Sequence, residues 1–386
     1  MAYIKITVPS NNQLGFLLPG DVVYFEKKKT THLLIGDVIL VEERKELSMR
    51  KTIYISERFV LAEGQSKDDI RKKILPKHIV GKAEFLKRDG QKVRFESFYQ
   101  YRTLLYFQEI IKVKNELTKN AINFLFLKGI PIHLYYEGTY PKRVFRDCDI
   151  LIHAADYQKA KKLLNKLGYS SVQLAISKKI KLKEENFSKI VAGTNIIFDL
   201  HREIAFTTPI YNIDLFYPES QIKTLTSVFL NEKIYFELYG EKFPALSAEN
   251  FLIYSTLHLF NHNYTGTFRY ELIKNILLRK TIDYPFVLSR IKEFNLENFM
   301  FPLVLFFKKY YNLSLPQSFT NTLRPKKGIV CFIKKTVLKN GIFDEYDIGH
   351  NNKIRMQYHF YLSPAPFYKK IIIFFMLPIL KMIKEN

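Results

Sequence analysis

The chain has 386 residues, enough for two or three domains that each bury a core. Hydrophobic residues make up 47%, which excludes a wholly disordered chain, and two cysteines cannot build a disulfide framework. The formal charge of +23 favours polyanionic partners, although the richness in Lys, Ile and Asn without Trp also fits the bias of an AT-rich genome. Nucleic acid is therefore not the favoured substrate.

The sequence shows no signal peptide, because MAYIKITVPS lacks an apolar run behind basic residues. The longest apolar run, Ile371 to Leu380, contains Pro378 and is too short to span a bilayer. We expect a C-terminal helix docked on the core, with peripheral membrane contact as the less favoured alternative. Few cysteines indicate a reducing compartment, so we expect a cytoplasmic protein.

Residues 1–97 predict a small β-rich domain. Turn signals such as Pro19-Gly20-Asp21 and Gly36-Asp37 separate short apolar runs, and Glu63 to Lys73 is a solvated stretch. The runs are Val22–Phe25, Leu33–Leu40, Ile53–Ile55, Arg58–Leu61 and Val93–Phe95. Their spacing is typical of a β-rich domain.

Residues 98–243 alternate helix and strand signals. A long helical period begins near Arg102, and a second helix over Tyr157–Leu167 has Gly168 placed as its C-terminal cap. Strand candidates are Phe124–Leu127, Cys148–Ile152, Phe187–Val191 and Ile196–His201. From Pro244 to the end, residues 244–386, the pattern is helical, with Ser247 as a cap. The fold class is therefore α+β: a β domain, a central mixed sheet and a helical region.

Three carboxylates form the main candidate site. Asp147 and Asp149 are two residues apart on a predicted strand, so their side chains point to one face. Asp199 lies in a later apolar strand. Clustered carboxylates repel unless a cation lies between them, and an all-oxygen ligand set suits Mg²⁺ or Mn²⁺. Such a set can hold two ions about 3.5–4 Å apart for displacement at phosphorus.

Two basic residues and a glycine near these acids are candidates for nucleotide binding. Lys128 and Gly129 follow the strand Phe124–Leu127; glycine permits close approach of a phosphate chain, and lysine supplies charge. Arg143, four residues before Asp147, could bind a phosphate or form an ion pair that holds the turn.

Three histidines have two interpretations each. His201 is two residues past Asp199 and shares its face, so it is either a supporting residue beside the metal or a structural histidine. His258 and His262 have helical spacing compatible with zinc, but no third ligand is evident. We favour structural hydrogen bonds for this pair.

The central segment resembles the uncharacterised bacterial nucleotidyltransferase family of the polymerase-β-like superfamily. The matching residues are Leu127, Lys128, Gly129, Tyr140, Pro141, Arg143, Asp147, Asp149, Leu151, Leu167, Gly168, Tyr169, Asp199, Leu200 and His201. The resemblance implies a nucleoside triphosphate substrate, with all three aspartates as metal ligands and Gly129 against the triphosphate. Asp199 would then hold the ion that activates the acceptor hydroxyl.

Residues 1–97 weakly resemble the β-domain of signal-peptidase-like proteases. The matching segments are Leu18–Val23, Gly36–Leu40 and His78–Lys82. No nucleophile box precedes Gly20, which has only Ser10-Asn11-Asn12 upstream, and no base is placed for a dyad. The resemblance therefore implies a degenerate, non-proteolytic domain.

Two functions follow from the sequence. The favoured one is a metal-dependent nucleotidyltransferase that uses a nucleoside triphosphate and an acceptor hydroxyl on a peptide or protein, with RNA less favoured. The alternative is a non-catalytic peptide-binding scaffold built from two degenerate domains. Isoleucine after Gly129, where the superfamily has serine or glycine, supports the alternative; the three acids support the enzyme.

Overall fold

The computed structural model describes residues 3–10, 17–27, 33–43, 45–56, 58–63, 71–138, 140, 145, 147–171, 184–204, 217–343 and 352–372. These residues form two β-sheets and many helices, which confirms the α+β class. The chain divides into two compact units: a first unit of residues 1–109 with 137–146, and a second unit of residues 110–136 with 147–386. Within the described ranges, no helix has the length and apolar character that crossing a bilayer requires.

The first unit contains an eight-stranded antiparallel sheet. Its strands are β1 (Tyr3–Thr7), β2 (Val22–Glu26), β3 (Val38–Glu43), β4 (Glu46–Ile55), β5 (Val60–Glu63), β6 (Arg71–Ile74), β7 (Ile79–Arg88) and β8 (Gln91–Arg94). The order is β1-β2-β7-β3-β4-β5-β6, with β8 beside β7. At the end of the predicted solvated stretch, Lys72 and Lys73 are exposed, as expected, although they lie on β6, which pairs with β5.

Two Gly-Asp turns of this unit have the same hydrogen bonds. Asp21 and Asp37 each accept, through Oδ2, the backbone N–H three residues earlier at 2.8 Å. Arg88 also donates to both oxygens of Asp21, at 2.8 and 2.7 Å. These aspartates therefore fix the turns that lead into β2 and β3.

The second unit contains a seven-stranded mixed sheet. Its strands are β9 (Phe124–Lys128), β10 (Cys148–Ile152), β11 (Ser170–Ser171), β12 (Glu184–Val191), β13 (Thr194–His201), β14 (Ile234–Leu238) and β15 (Glu241–Ala245). The order is β11-β12-β13-β10-β9-β15-β14. Strand β10 is parallel to β13, β15 is parallel to β9, and the other pairs are antiparallel. All of β10 is buried, so it forms the centre of the sheet.

Helices occupy most of the remaining chain. They are α1 (Phe95–Lys119), α2 (Ile130–Glu137), α3 (Tyr157–Lys166), α4 (Glu219–Asn231), α5 (Ala248–Asn261), α6 (Thr267–Arg279), α7 (Tyr284–Glu293), α8 (Glu297–Tyr311), α9 (Gln317–Thr322), α10 (Lys327–Phe332), α11 (Leu338–Asn340) and α12 (Asn352–Leu362). A π-helical turn, Ile333–Val337, joins α10 to α11, and the 3-10 turn Pro76–His78 precedes β7.

The helix ends agree with local sequence signals at two places. Gly168 follows α3 with a φ of +85°, the left-handed conformation that favours glycine. Ser247 accepts the backbone N–H of Asn250 at 3.2 Å at the start of α5. Helix α1 begins at Phe95, earlier than the predicted Arg102.

The aromatic residues of the helical region form its core. The rings of Phe260 and Phe299 are 4.4 Å apart, and Tyr264 and Tyr270 are fully buried. Burial of such large side chains is a main source of stability. Residues 373–386 lie outside the described residues, so the docked C-terminal helix stays a prediction.

Candidate metal and nucleotide site

The candidate site lies on three adjacent strands of the second unit's sheet. In the parallel pair β10–β13, Asp149 is directly opposite Asp199. In the antiparallel pair β9–β10, Lys128 is opposite Asp149, next to an irregularity in the register. Cross-strand neighbours have their side chains within reach of one another. Two acids and a lysine from distant parts of the chain therefore meet.

The structure brings the three predicted carboxylates together. One oxygen from each of Asp147, Asp149 and Asp199 lies within 4.8 Å of the others, the only such metal-ligating group among the described residues. The side chain of Asp149 is 2% exposed, whereas that of Asp147 is 41% exposed. The group therefore has a buried inner end and an outer end open to solvent.

The electrostatics of this group fit a divalent cation. Burial, followed by the charges of Asp149 and Asp147, raises the pKa of Asp199 to about 8. A carboxyl group with this pKa holds a proton at neutral pH, because burial and the charges of its neighbours disfavour the negative form. A hard cation would replace that proton and relieve the repulsion, and oxygen-only ligands are those that Mg²⁺ and Mn²⁺ prefer. The residues present therefore fit such an ion.

Asp149 is held between a lysine and a histidine. Lys128 Nζ lies 3.1 Å from its Oδ2 and 3.8 Å from Asp147 Oδ2, and His201 Nε2 lies 2.8 Å from its Oδ1. Burial alone would raise the pKa of Asp149, but Lys128 and His201 lower it below its ordinary value. Asp149 is thus a fixed, ionised carboxylate.

His201 supports the carboxylates from the side. Burial lowers the pKa of its imidazole, but the hydrogen bond and charge of Asp149 outweigh burial and raise it above the ordinary value. Its Nδ1 lies 3.4 Å from Glu184 Oε2 on β12. The ring therefore lies between two acids and orients Asp149, the supporting position considered from sequence.

Asn186 is a site residue that the sequence reasoning missed. It is opposite Asp199 in the β12–β13 pair, and its Nδ2 donates to Asp199 Oδ1 at 2.7 Å. A carboxylate oxygen that accepts a fixed amide donor has a defined orientation. Only the register of β12 on β13 reveals this contact, since Asn186 has no motif of its own.

The structure describes Gly129 but not Arg143, the other two residues predicted to bind the nucleotide with Lys128. Gly129 has a φ of +118°, and a Cβ there would lie 3.0 Å from Cys148 Sγ. Close packing of β9 on β10 thus requires glycine whether or not a phosphate approaches it. Arg143 lies outside the described residues, so its role stays a prediction.

Helix α5 presents a row of rings near this group. Tyr254 and His258 stack with centroids 5.9 Å apart, and His258 and His262 have centroids 4.7 Å apart. Arg269 Nε donates to His258 Nε2 at 3.1 Å. This hydrogen bond agrees with the structural interpretation of His258 and occupies one of its two ring nitrogens.

Residues 95–312, more than half of the chain, match the family of uncharacterised nucleotidyltransferases, and the chain belongs to this family. The solved structure of an antigenic nucleotidyltransferase-like protein from Paracoccidioides brasiliensis is similar at 14% identity and a TM-score of 0.30. The similarity covers 66% of this chain and 96% of that one. No curated protein matches the chain significantly.

Proposed function

We propose that the chain is a divalent-cation-dependent nucleotidyltransferase that transfers a nucleotidyl group from a nucleoside triphosphate to an acceptor hydroxyl. One observation carries this proposal: in a member of a nucleotidyltransferase family, the carboxylates of Asp149 on β10, Asp199 on β13 and Asp147, directly before β10, converge within 4.8 Å. A scaffold protein would gain nothing from this group, because clustered carboxylates oppose folding when no cation is bound.

Asp147, Asp149 and Asp199 would hold Mg²⁺ or Mn²⁺. A bound divalent ion offsets charge on the phosphate oxygens and favours ionisation of the acceptor hydroxyl. The protein supplies the geometry: His201 and Lys128 hold Asp149, and Asn186 holds one oxygen of Asp199. Preorganised ligands of this kind reduce the reorganisation needed when substrate binds.

In the proposed reaction, the acceptor oxygen forms a bond to the α-phosphorus of the triphosphate. The bond from that phosphorus to the oxygen bridging the β-phosphorus breaks, and pyrophosphate leaves with the bonding electrons. The hydroxyl proton passes to solvent. Asp199, which lies opposite Asp149 on the neighbouring strand β13, is the carboxylate that we assign to the acceptor side.

We propose a peptide or protein as the acceptor, since residues 1–97 resemble a peptide-handling fold that lacks its nucleophile. A bacterial origin, a cytoplasmic location and the division at residues 97 and 243 belong to the same proposal. RNA is the less favoured acceptor, because the charge of +23 is explained in part by composition.

Labelled triphosphates test the reaction directly. Incubation of the chain with Mg²⁺, host lysate and each α-labelled triphosphate should transfer label to a macromolecule, whereas γ-label should appear in pyrophosphate. Asp149→Asn should abolish transfer, and Glu219→Gln on α4, an exposed acid paired with Lys223, should not. Transfer that is equal with and without Asp149 would refute the proposal.

A further inference from the structure

Helices α5 and α6 meet at an arginine held by unusual partners. Arg269 Nε donates to the ring of His258 at 3.1 Å, and its Nη1 donates to the backbone oxygen of Thr265 at 3.1 Å. The guanidinium also lies over the ring of Phe268, 4.5 Å from its centroid. These contacts with neutral groups help to fix the direction of a charged side chain.

His258 accepts this hydrogen bond because it is neutral. Burial, the charge of Lys128, then His262 and Arg269 lower the pKa of His258 well below its ordinary value. A neutral imidazole has one nitrogen with a free lone pair, and here the nitrogen that faces Arg269 accepts. The histidine therefore acts as a neutral anchor for the arginine.

Gly266 makes room for the guanidinium. It has a φ of +99°, and a Cβ built on it would overlap Arg269 Nη1. The backbone conformation favours glycine, and a larger residue there would displace the end of the arginine side chain.

The topology places this arginine by the carboxylate site. Strand β15 is parallel to β9, with Ala245 opposite Phe126, and α5 begins three residues after Ala245. Helix α5 therefore leaves the sheet at the edge where β9 ends in Lys128. Burial lowers the pKa of Lys128, the carboxylates of Asp149 and Asp147 raise it overall, and Arg269 is near enough for its charge to have a small opposing effect.

We propose that Arg269, oriented by His258, binds the β- and γ-phosphates of the nucleoside triphosphate; this inference rests on the proposed function. A positive side chain of fixed direction beside a metal site complements the negative phosphate chain of a triphosphate bound there. An arginine fork also matches two phosphate oxygens at once. His258 is then a positioning residue.

Binding of inorganic tripolyphosphate with Mg²⁺ tests this inference separately from the reaction. Isothermal titration of the full chain should show that Arg269→Gln weakens tripolyphosphate binding about tenfold or more, the loss expected for a charge-assisted contact. Arg269→Lys keeps the positive charge but not the two-pronged guanidinium, so its affinity for tripolyphosphate should lie between those of wild type and Arg269→Gln. Arg290→Gln is the matched control, because this arginine pairs with Glu232 and Glu293.

His258 variants test the positioning role. His258→Phe keeps the ring but removes the acceptor, and it should weaken tripolyphosphate binding, whereas His258→Gln, which keeps an acceptor, should restore part of it. Steady-state transfer should show KM for the triphosphate rising more than kcat falls in Arg269→Lys. Equal tripolyphosphate affinity in wild type and both Arg269 variants overturns this inference alone. A wild-type chain that binds neither tripolyphosphate nor any triphosphate overturns the proposed function with it.

Discussion

Replacing Asp199 by Asn should change how the metal-free protein responds to pH. Burial and the charges of Asp149 and Asp147 raise the pKa of this carboxyl to about 8, against roughly 3.9 in an unfolded chain. Between these values the folded state holds a proton that the unfolded state lacks. The free energy of unfolding therefore falls as pH rises through this window, and the stability contribution is lost by the folded pKa.

The magnitude follows from the same pKa difference. Well below the folded pKa, each pH unit costs about 1.4 kcal/mol, so the wild type should lose on the order of 2 kcal/mol relative to Asp199→Asn between about pH 6 and pH 8. The amide has nearly the same shape and does not titrate. At pH 8 without metal, the variant should therefore be the more stable protein.

Urea denaturation at both pH values, in EDTA and in Mg²⁺, measures this difference. Mg²⁺ should remove the pH dependence of the wild-type free energy of unfolding, because a bound cation replaces the proton. The pH dependence of Asp199→Asn should be nearly the same with and without Mg²⁺. Glu219→Gln, an exposed acid on α4, should follow the wild type in all four conditions. Parallel pH slopes for wild type and Asp199→Asn in EDTA would refute the electrostatic reasoning.

Three further outcomes are expected. Gly129→Ala should destabilise the fold by about 1–3 kcal/mol, because its φ is +118° and the new Cβ meets Cys148 Sγ. In thermal melts, adding Cys148→Ala should recover only the loss caused by the clash with Cys148, and the loss caused by the backbone conformation should remain. Arg88→Gln should lower stability by about 1–3 kcal/mol, because Asp21 is 2% exposed and loses two hydrogen bonds; an unchanged melt would contradict this. Peptide substrates should remain uncut, and cleavage that disappears in Ser10→Ala would revive a protease.

Local sequence was enough for several parts of this protein. The side-chain alternation around Asp147 and Asp149, and the apolar strand that carries Asp199, indicated one shared site. The helix α3 and its C-terminal cap at Gly168 were also predicted from residues that lie close together in the chain. Such features depend on backbone geometry that neighbouring residues determine.

Some elements were missed although their signals were present. Strands β7 and β14 alternate apolar and polar residues, as in Ile234, Phe236 and Leu238, and β14 with β15 forms a hairpin that ends against β9. A short alternating run is ambiguous until a partner strand is known. The pairing, and not the run itself, makes these segments strands.

Only the tertiary structure decided what surrounds the carboxylates. The predicted role of Lys128 in nucleotide binding stays a prediction, and the sequence did not indicate that its ammonium lies 3.1 Å from Asp149 in the folded chain. Asn186 and Arg269 had no motif that singled them out. Their positions follow from the register of β12 on β13 and from the packing of α5 and α6. A shift of one residue in a strand register turns every side chain to the other face, so these contacts exist only once distant segments have paired.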